Sequence, residues 1–281
     1  MARAESLHGK TRRDLAALEL RPRRSLGQNF LVSPHVVSRI VEAADAGGRT
    51  VVEIGPGLGA MSEALAAVAS KLVLVEVDGR MAAALRERFE TATHVDVVEA
   101  DATRVDYARL LDGSAPAIVV ANLPYSVGSQ ILLRLLEFRA SFERLVLMLQ
   151  REVAERLRAK PATKAYGLLT VWTALYGVPR ILFRVPPGAF EPRPRVDSAV
   201  VSIELQTEPR AAIGDERWFR EVVRAAFAQR RKMLRAALAK LGPPEAIARA
   251  GIAPERRGET LSIDEFAALA RSLARRPMGD G

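Results

Sequence analysis

Short apolar runs alternate with stretches of helical period from residue 34 to about residue 205. The runs at 50–55, 71–78, 94–101, 115–121, 144–150, 179–185 and 199–205 are short, rich in Val, Ile and Leu, and bounded by polar or Gly/Pro positions, so they predict strands. Several are apolar at both alternating positions, the pattern of strands covered on both faces. Helical stretches fall between them at 34–46, 59–69, 79–91, 127–138 and 150–159. Strand–helix alternation of this kind predicts an α/β fold, a parallel Rossmann-like sheet with helices on both faces. Ligands of such sheets bind beyond the carboxyl ends of the strands.

The pattern changes after residue 207. A polar, turn-like stretch at 207–214 is followed only by helical spacing, first in Trp218, Phe219, Val222, Val223, Ala226 and Phe227. Met233, Leu234, Ala237, Leu238 and Leu241 repeat it, and Gly242-Pro243-Pro244 ends that helix. Further helices are expected at about 245–250 and 263–275, the second opened by Ser262 with Glu265 three residues on, a capping box. The expected organisation is a basic arm at 1–24, an α/β domain at 25–207, a small all-helical domain at 208–276 and a disordered tail at 277–281.

Composition narrows the chemistry. Without Cys the chain has no disulfide, thiolate metal site or Cys nucleophile, and its three His are far apart, so neither a metal centre nor a His relay is expected. The net charge of +9 suggests a polyanionic partner. Its distribution is more informative: residues 1–24 carry +4, residues 25–185 only +1, and residues 186–281 another +4. The amino terminus has no signal-peptide pattern and no run is long enough for a membrane span. A cytoplasmic protein without membrane contact is expected.

Candidate chemistry sits at strand ends. Glu53-Ile54-Gly55-Pro56-Gly57-Leu58-Gly59 closes one strand and opens a helix. Gly55 and Gly57 allow a tight turn and let a ligand approach the backbone. The G-x-G-x-G spacing after an acid resembles the first motif of S-adenosylmethionine-dependent methyltransferases more than a nicotinamide site. Glu76 ends the next strand, 21 residues after Gly55, where an acid accepts the ribose hydroxyls of an adenosine moiety. That alone does not separate S-adenosylmethionine from NAD. Asp101 ends the third strand, at a height suited to an adenine amino group.

Asn122-Leu123-Pro124-Tyr125 follows the fourth strand and resembles the Asn/Asp-Pro-Pro-aromatic motif of amino-group methyltransferases. An adenine N6 lone pair is delocalised into the ring and attacks poorly. The Asn122 carbonyl and a backbone carbonyl beside Pro124 can each accept one N6 hydrogen, which turns the lone pair out of conjugation. Pro124 stiffens the turn. Tyr125 offers a stacking face, worth ~1–3 kcal/mol by analogy with single-strand recognition. No general base is needed before transfer; positioning and preset dipoles drive it.

The chain as a whole resembles the small-subunit ribosomal RNA adenine-N6,N6 dimethyltransferases. Besides the strand-end motifs, the likeness rests on Ser25–Leu31 (SLGQNFL), on 148–157 (MLQREVAERL) and on Tyr166-Gly167. It also rests on Phe190–Ser198 (FEPRPRVDS) and on 227–232 (FAQRRK), and spans about residues 21–275. The resemblance implies a methyltransferase that takes S-adenosylmethionine, releases S-adenosylhomocysteine and uses no metal. It implies cofactor contacts from Asn29, Leu31, Glu53, Gly55, Gly57, Glu76, Asp101 and Asn122, with Gln28 alongside. A flipped adenine would lie between Tyr125 and Phe190, against Asn122 and Pro124. The implied substrate is a pair of adjacent adenosines in the 3′-terminal hairpin loop of small-subunit rRNA, within an immature subunit, each methylated twice by a monomeric enzyme. Arg21, Arg23 and Arg24 on the arm, and Arg230, Arg231, Lys232 and Arg235 on the helical domain, would meet RNA phosphates. Ser126 and Leu168 depart from the family pattern, which usually has Asn and Arg there.

Three alternatives remain open on sequence. One is the related class that methylates large-subunit rRNA and confers macrolide resistance. Another is a non-catalytic assembly or transcription factor on the same fold; intact Asn122 and Tyr125 weigh against it. A NAD-dependent oxidoreductase is the third.

Overall fold

The computed structural model describes residues 6–19, 29–113 and 116–273, which divide into two compact units. The first holds the described residues up to Ala154 together with Val178–Gln206. The second holds Glu155–Gly177 and the chain from Thr207 onward. Residues 155–177 therefore group with the carboxyl-terminal helices rather than with the α/β domain, where a single boundary at 207 would put them.

The first unit contains α1 (Leu7–Ala17), β1 (Phe30–Leu31), α2 (Pro34–Ala44), β2 (Thr50–Ile54), α3 (Ser62–Ala66) and β3 (Lys71–Glu76). It continues through α4 (Gly79–Arg88), β4 (Val95–Glu99), α5 (Tyr107–Leu111), β5 (Ala117–Asn122), α6 (Gly128–Glu137) and β6 (Phe142–Gln150). The division between units falls within α7 (Arg151–Leu157), and the chain then forms α8 (Leu168–Tyr176) in the second unit. It returns as β7 (Gly177–Val185), β8 (Phe190–Glu191) and β9 (Ser198–Leu205). Seven strands form one sheet in the order β4-β3-β2-β5-β6-β9-β7.

The strands from β4 to β6 are parallel, and their near-continuous apolar sequences are buried except at the β4 edge. β9 runs antiparallel to β6, from Ser198 opposite Gln150 to Glu204 opposite Arg144. This corrects the expected all-parallel sheet. Between β7 and β9 the chain has a single 3-10 turn at Pro187–Ala189, the two-residue β8 and loops, with no crossover helix of the kind a parallel connection uses. β1 and β8 pair separately, Leu31 opposite Phe190.

Because the chain runs outward from β2 to β3 and β4 and then crosses back to β5, the order reverses between β2 and β5. A crevice opens at such a point beyond the strands' carboxyl ends. Ser33 and Asp78 cap α2 and α4 with their side chains, which fixes the helices against this edge. Apolar side chains of α2, α3, β2, β3, β5 and β6 form the core beneath it.

The second unit continues from α8 through α9 (Glu216–Ala228), α10 (Leu234–Ala237), α11 (Pro244–Arg249) and α12 (Ile263–Leu273). Trp172 stacks on Phe219 with ring centroids 6.0 Å apart, and Phe227 packs on both Tyr166 and Phe266. The expected capping box forms: Ser262 N–H donates to Glu265 at 2.7 Å, and Glu265 N–H donates to Ser262 Oγ at 3.1 Å. Three helices were not foreseen: α1, the short α5 and α8. α8 is apolar nearly all round, so it shows no amphipathic period. α1 lies inside the segment expected to be a basic arm. The expected tail at 277–281 lies outside the described residues.

Candidate active site

The carboxyl ends of β2, β3, β5 and the turn after β4 surround a cavity of about 250 Å³. Asn29, Leu31, Glu53, Gly55, Gly57, Glu76, Asp101, Asn122, Pro124 and Tyr125 all line it, so the motifs spread over 97 residues of sequence converge on one place. Gly55 and Gly57 both have positive φ, +65° and +57°. A Cβ on Gly57 would stand 3.2 Å from the Phe30 ring. The loop thus needs glycine for its turn and for the space over the cavity floor.

Of the four carboxylates that line the cavity, the three at the strand ends are in different states. Glu53 is fully buried at the end of β2, and burial pushes its carboxyl up to about 8. Its Oε2 accepts from Ser62 Oγ at 2.6 Å, while Oε1 has no partner among the described residues. Glu76 is 4% exposed and also raised by burial. Its Oε1 accepts from the Val77 and Asp78 N–H groups at 2.9 Å each, and Oε2 accepts from Gly57 N–H at 3.0 Å. It therefore ties the glycine loop to the end of β3 and keeps lone-pair capacity on Oε2 for a ligand. Asp101 is held below the usual carboxylate range, chiefly by Thr103, whose hydroxyl and N–H donate at 2.7 and 2.9 Å.

At the end of β5, Asn122 Nδ2 donates to the Asn29 carbonyl at 3.0 Å. That bond orients the amide and leaves Oδ1 as the acceptor. The Pro124 carbonyl already accepts from Val127 and Gly128 N–H, at 3.2 and 2.8 Å. Tyr125 is half-buried, its hydroxyl 2.6 Å from Ser198 Oγ.

Some expectations change. Phe190 does not line the cavity: it is 1% exposed and packs in the core beside Val36, Val37 and Val185. The antiparallel pairing of β8 with β1 places it there, so in this arrangement it offers no face to a base. Arg230 is engaged inside the second unit, with Nε 2.6 Å from Glu259 and Nη2 donating to the Thr163 carbonyl at 3.1 Å. It serves to join chain segments. Arg231, Lys232 and Arg235 are exposed. Gln28, Arg21, Arg23 and Arg24 lie outside the described residues.

The sequence reading also missed contributors. Leu7, Lys10, Thr11 and Asp14 of α1 line the cavity. Arg88 joins this helix to the glycine loop, donating to Asp14 at 2.8 Å and to the Leu58 carbonyl. The signal was the stripe Leu7, Thr11, Leu15 and Leu18 at helical spacing, obscured by the basic residues around it.

These residues fit a nucleoside carrying an amino acid. The glycine loop leaves room where a side chain would block it. Glu53 Oε1 is a buried acceptor without a donor among the described residues, suited to an ammonium group, and Glu76 and Asp101 present acceptors for hydroxyl and amino donors. Fold and site together define an S-adenosylmethionine-dependent methyltransferase. The match of residues 19–275 to the ribosomal RNA adenine dimethylase model places the chain in that family.

Relatives named ribosomal RNA small subunit methyltransferase A include one from Moorella thermoacetica, 46% identical over 266 residues, covering 90% of this chain and 92% of the relative. Another, from Geobacter metallireducens, is 45% identical over 265 residues, covering 90% and 96%. The crystal structure of a Plasmodium falciparum dimethyladenosine transferase shares the fold with a TM-score of 0.72 and 24% identity, over 85% of this chain and 95% of that one. The 23S rRNA methyltransferase ErmE matches with a TM-score of 0.63 and 26% identity, over 87% and 99%. Among the described residues, no helix is long and apolar enough to cross a membrane.

Proposed function

We propose that this enzyme methylates N6 of two adjacent adenosines in the 3′-terminal hairpin loop of small-subunit rRNA, giving N6,N6-dimethyladenosine. The carrying observation is Asn122: its amino group is tied to the Asn29 carbonyl, leaving its carbonyl as the acceptor in the cavity that holds Glu53, Glu76 and Asp101. The small-subunit target is supported by the names of relatives that match most of the chain at 41–46% identity.

S-adenosylmethionine supplies an electrophilic methyl group. Glu53 would hold the ammonium of its amino-acid portion, Glu76 a ribose hydroxyl, and Asp101 the adenine amino group. Asn122 Oδ1 accepts one hydrogen of the substrate N6. The second acceptor is the Leu123 carbonyl, because that of Pro124 is taken by two backbone N–H groups. Both bonds draw N6 toward tetrahedral geometry and free its lone pair. The proton leaves after transfer, so the scheme assigns no residue as prior base and no step to a metal. Tyr125 stacks on one face of the flipped base and offsets part of the unstacking cost. Phe190 joins the opposite face only if β8 moves out of the core.

Arg231, Lys232 and Arg235, together with Arg21, Arg23 and Arg24, contact phosphates and position the RNA without reading it. We place the reaction on an immature small subunit in the cytoplasm, with the enzyme acting as a monomer and releasing S-adenosylhomocysteine. Tritium transfer from labelled S-adenosylmethionine tests this. Label is expected in small subunits isolated from a strain lacking the gene, with digestion yielding dimethyladenosine. Label confined to large-subunit rRNA would assign the enzyme to the other target class. Absence of label with intact RNA binding would make it a binding factor.

A further inference from the structure

The stacking role of Tyr125 requires its ring to stand at a fixed height beside Asn122, and backbone geometry does not supply that. The Tyr125 backbone lies in the turn between β5 and α6, and two χ angles separate it from the ring. The ring tip, however, is held: Tyr125 Oη lies 2.6 Å from Ser198 Oγ, and Ser198 is 0% exposed. A hydroxyl–hydroxyl bond of that length is within the ordinary range for a well-formed O–H···O contact.

Ser198 is itself anchored in the sheet. It opens β9 opposite Gln150 of β6, and the preceding Asp197 carbonyl accepts from Arg151 N–H at 2.9 Å. β6 is also the neighbour of β5, with Met148 opposite Asn122. The carboxamide of Asn122 and the hydroxyl of Ser198 are thus both referred to β6, one from each side. Through Ser198, the Tyr125 ring is built into the frame that positions Asn122.

We infer that Ser198 is a positioning residue for methyl transfer, holding the Tyr125 ring at the stacking height that aligns the substrate N6 with Asn122. It does not touch the base. This rests on the assignment of Tyr125 as the stacking ring, so the test separates the two. Removing one partner of a neutral hydrogen bond typically carries a threefold to tenfold effect.

The experiment measures single-turnover methylation of unmodified small subunits by Ser198→Ala, Tyr125→Phe, the double variant and Tyr125→Ala. S-adenosylmethionine affinity is measured alongside, and 2-aminopurine at the target position of a hairpin RNA reports stacking. Tyr125→Phe keeps the ring and removes only the hydroxyl, so the inference stays testable if Ser198→Ala folds poorly. The expected result is a threefold to tenfold loss of rate and weaker 2-aminopurine quenching in each single variant. The double variant is no worse than either, and cofactor affinity stays within about twofold. Wild-type rates in Tyr125→Phe and Ser198→Ala, with Tyr125→Ala inactive, would overturn the role of Ser198 and leave the stacking ring in place. Multiplying losses in the double variant would overturn the coupling. Full activity of Tyr125→Ala would overturn both assignments.

Discussion

The carboxyl edge of the sheet and the 229–235 segment of the helical unit do opposite things with their polar groups. At the sheet edge, Glu53 and Glu76 are buried and tied down by Ser62 and by backbone N–H groups, and Asn122 is oriented by a carbonyl. In the helical unit, Arg231, Lys232 and Arg235 stand in solvent, and only Arg230 is fixed, by Glu259 and Thr163. Preorganised dipoles in a dry site act on one atom of one ligand. Solvated cations act on any phosphate and weaken as salt rises. One region suits chemistry and the other suits grip, in keeping with a charge of +9 of which residues 25–185 carry only +1.

The contrast breaks most sharply at Asn122. Asn122→Ala is expected to lower the methylation rate by about a hundredfold or more, the scale of losing a preset polar group at a reacting centre. Affinity for S-adenosylmethionine should fall far less, as calorimetry would show. Equal losses in both would make Asn122 a cofactor ligand only.

Replacing Arg231, Lys232 and Arg235 together with Ala should weaken RNA binding by roughly tenfold at low salt. It should also flatten the dependence of log K on log salt by about 2.7, since each duplex phosphate contact contributes close to 0.9. Filter binding across a salt series checks this, and an unchanged slope would return the three residues to a solvated face.

Glu53 gives a pH test of the buried region. Its carboxyl is raised to about 8 when folded, against an ordinary 4.5 when unfolded. The folded state therefore holds a proton that the unfolded state gives up. The contribution to stability is greatest below pH 4.5, declines as pH rises toward 8, and is level beyond. Glu53→Gln should remove that slope from the thermal midpoint of the ligand-free protein. S-adenosylmethionine should release close to one proton on binding near pH 7 in wild type and fewer in Glu53→Gln, read by calorimetry in buffers of different ionisation enthalpy.

Arg230→Ala is the smallest expected effect and sharpens the contrast from inside the basic cluster. It should lower the thermal midpoint by a few degrees, as losing a partly buried ion pair does, and leave the salt slope of RNA binding unchanged.

The catalytic edge was readable from sequence because its chemistry is local. Each motif sits within a few residues of a strand end, and strands of this composition declare themselves. The capping box at Ser262 and Glu265 was readable for the same reason. What escaped notice depends on distant partners or on a masked period. Arg230 finds Glu259 29 residues away, so its neutralisation has no local sign. Phe190 is drawn into the core by pairing with Leu31, 159 residues earlier. The α1 stripe was hidden by charge, and α8 had too little polarity to show a face. The antiparallel entry of β9 follows from a short connection whose geometry residue types alone do not specify.

N6 dimethylation of small-subunit rRNA is tested most directly by mass-spectrometric mapping of dimethyladenosine in both ribosomal RNAs, with and without this gene. The expected result is loss of two adjacent dimethyladenosines near the 3′ end of the small-subunit RNA, restored by wild type and not by Asn122→Ala. Unchanged small-subunit RNA together with a lost methyladenosine in the large subunit would contradict it.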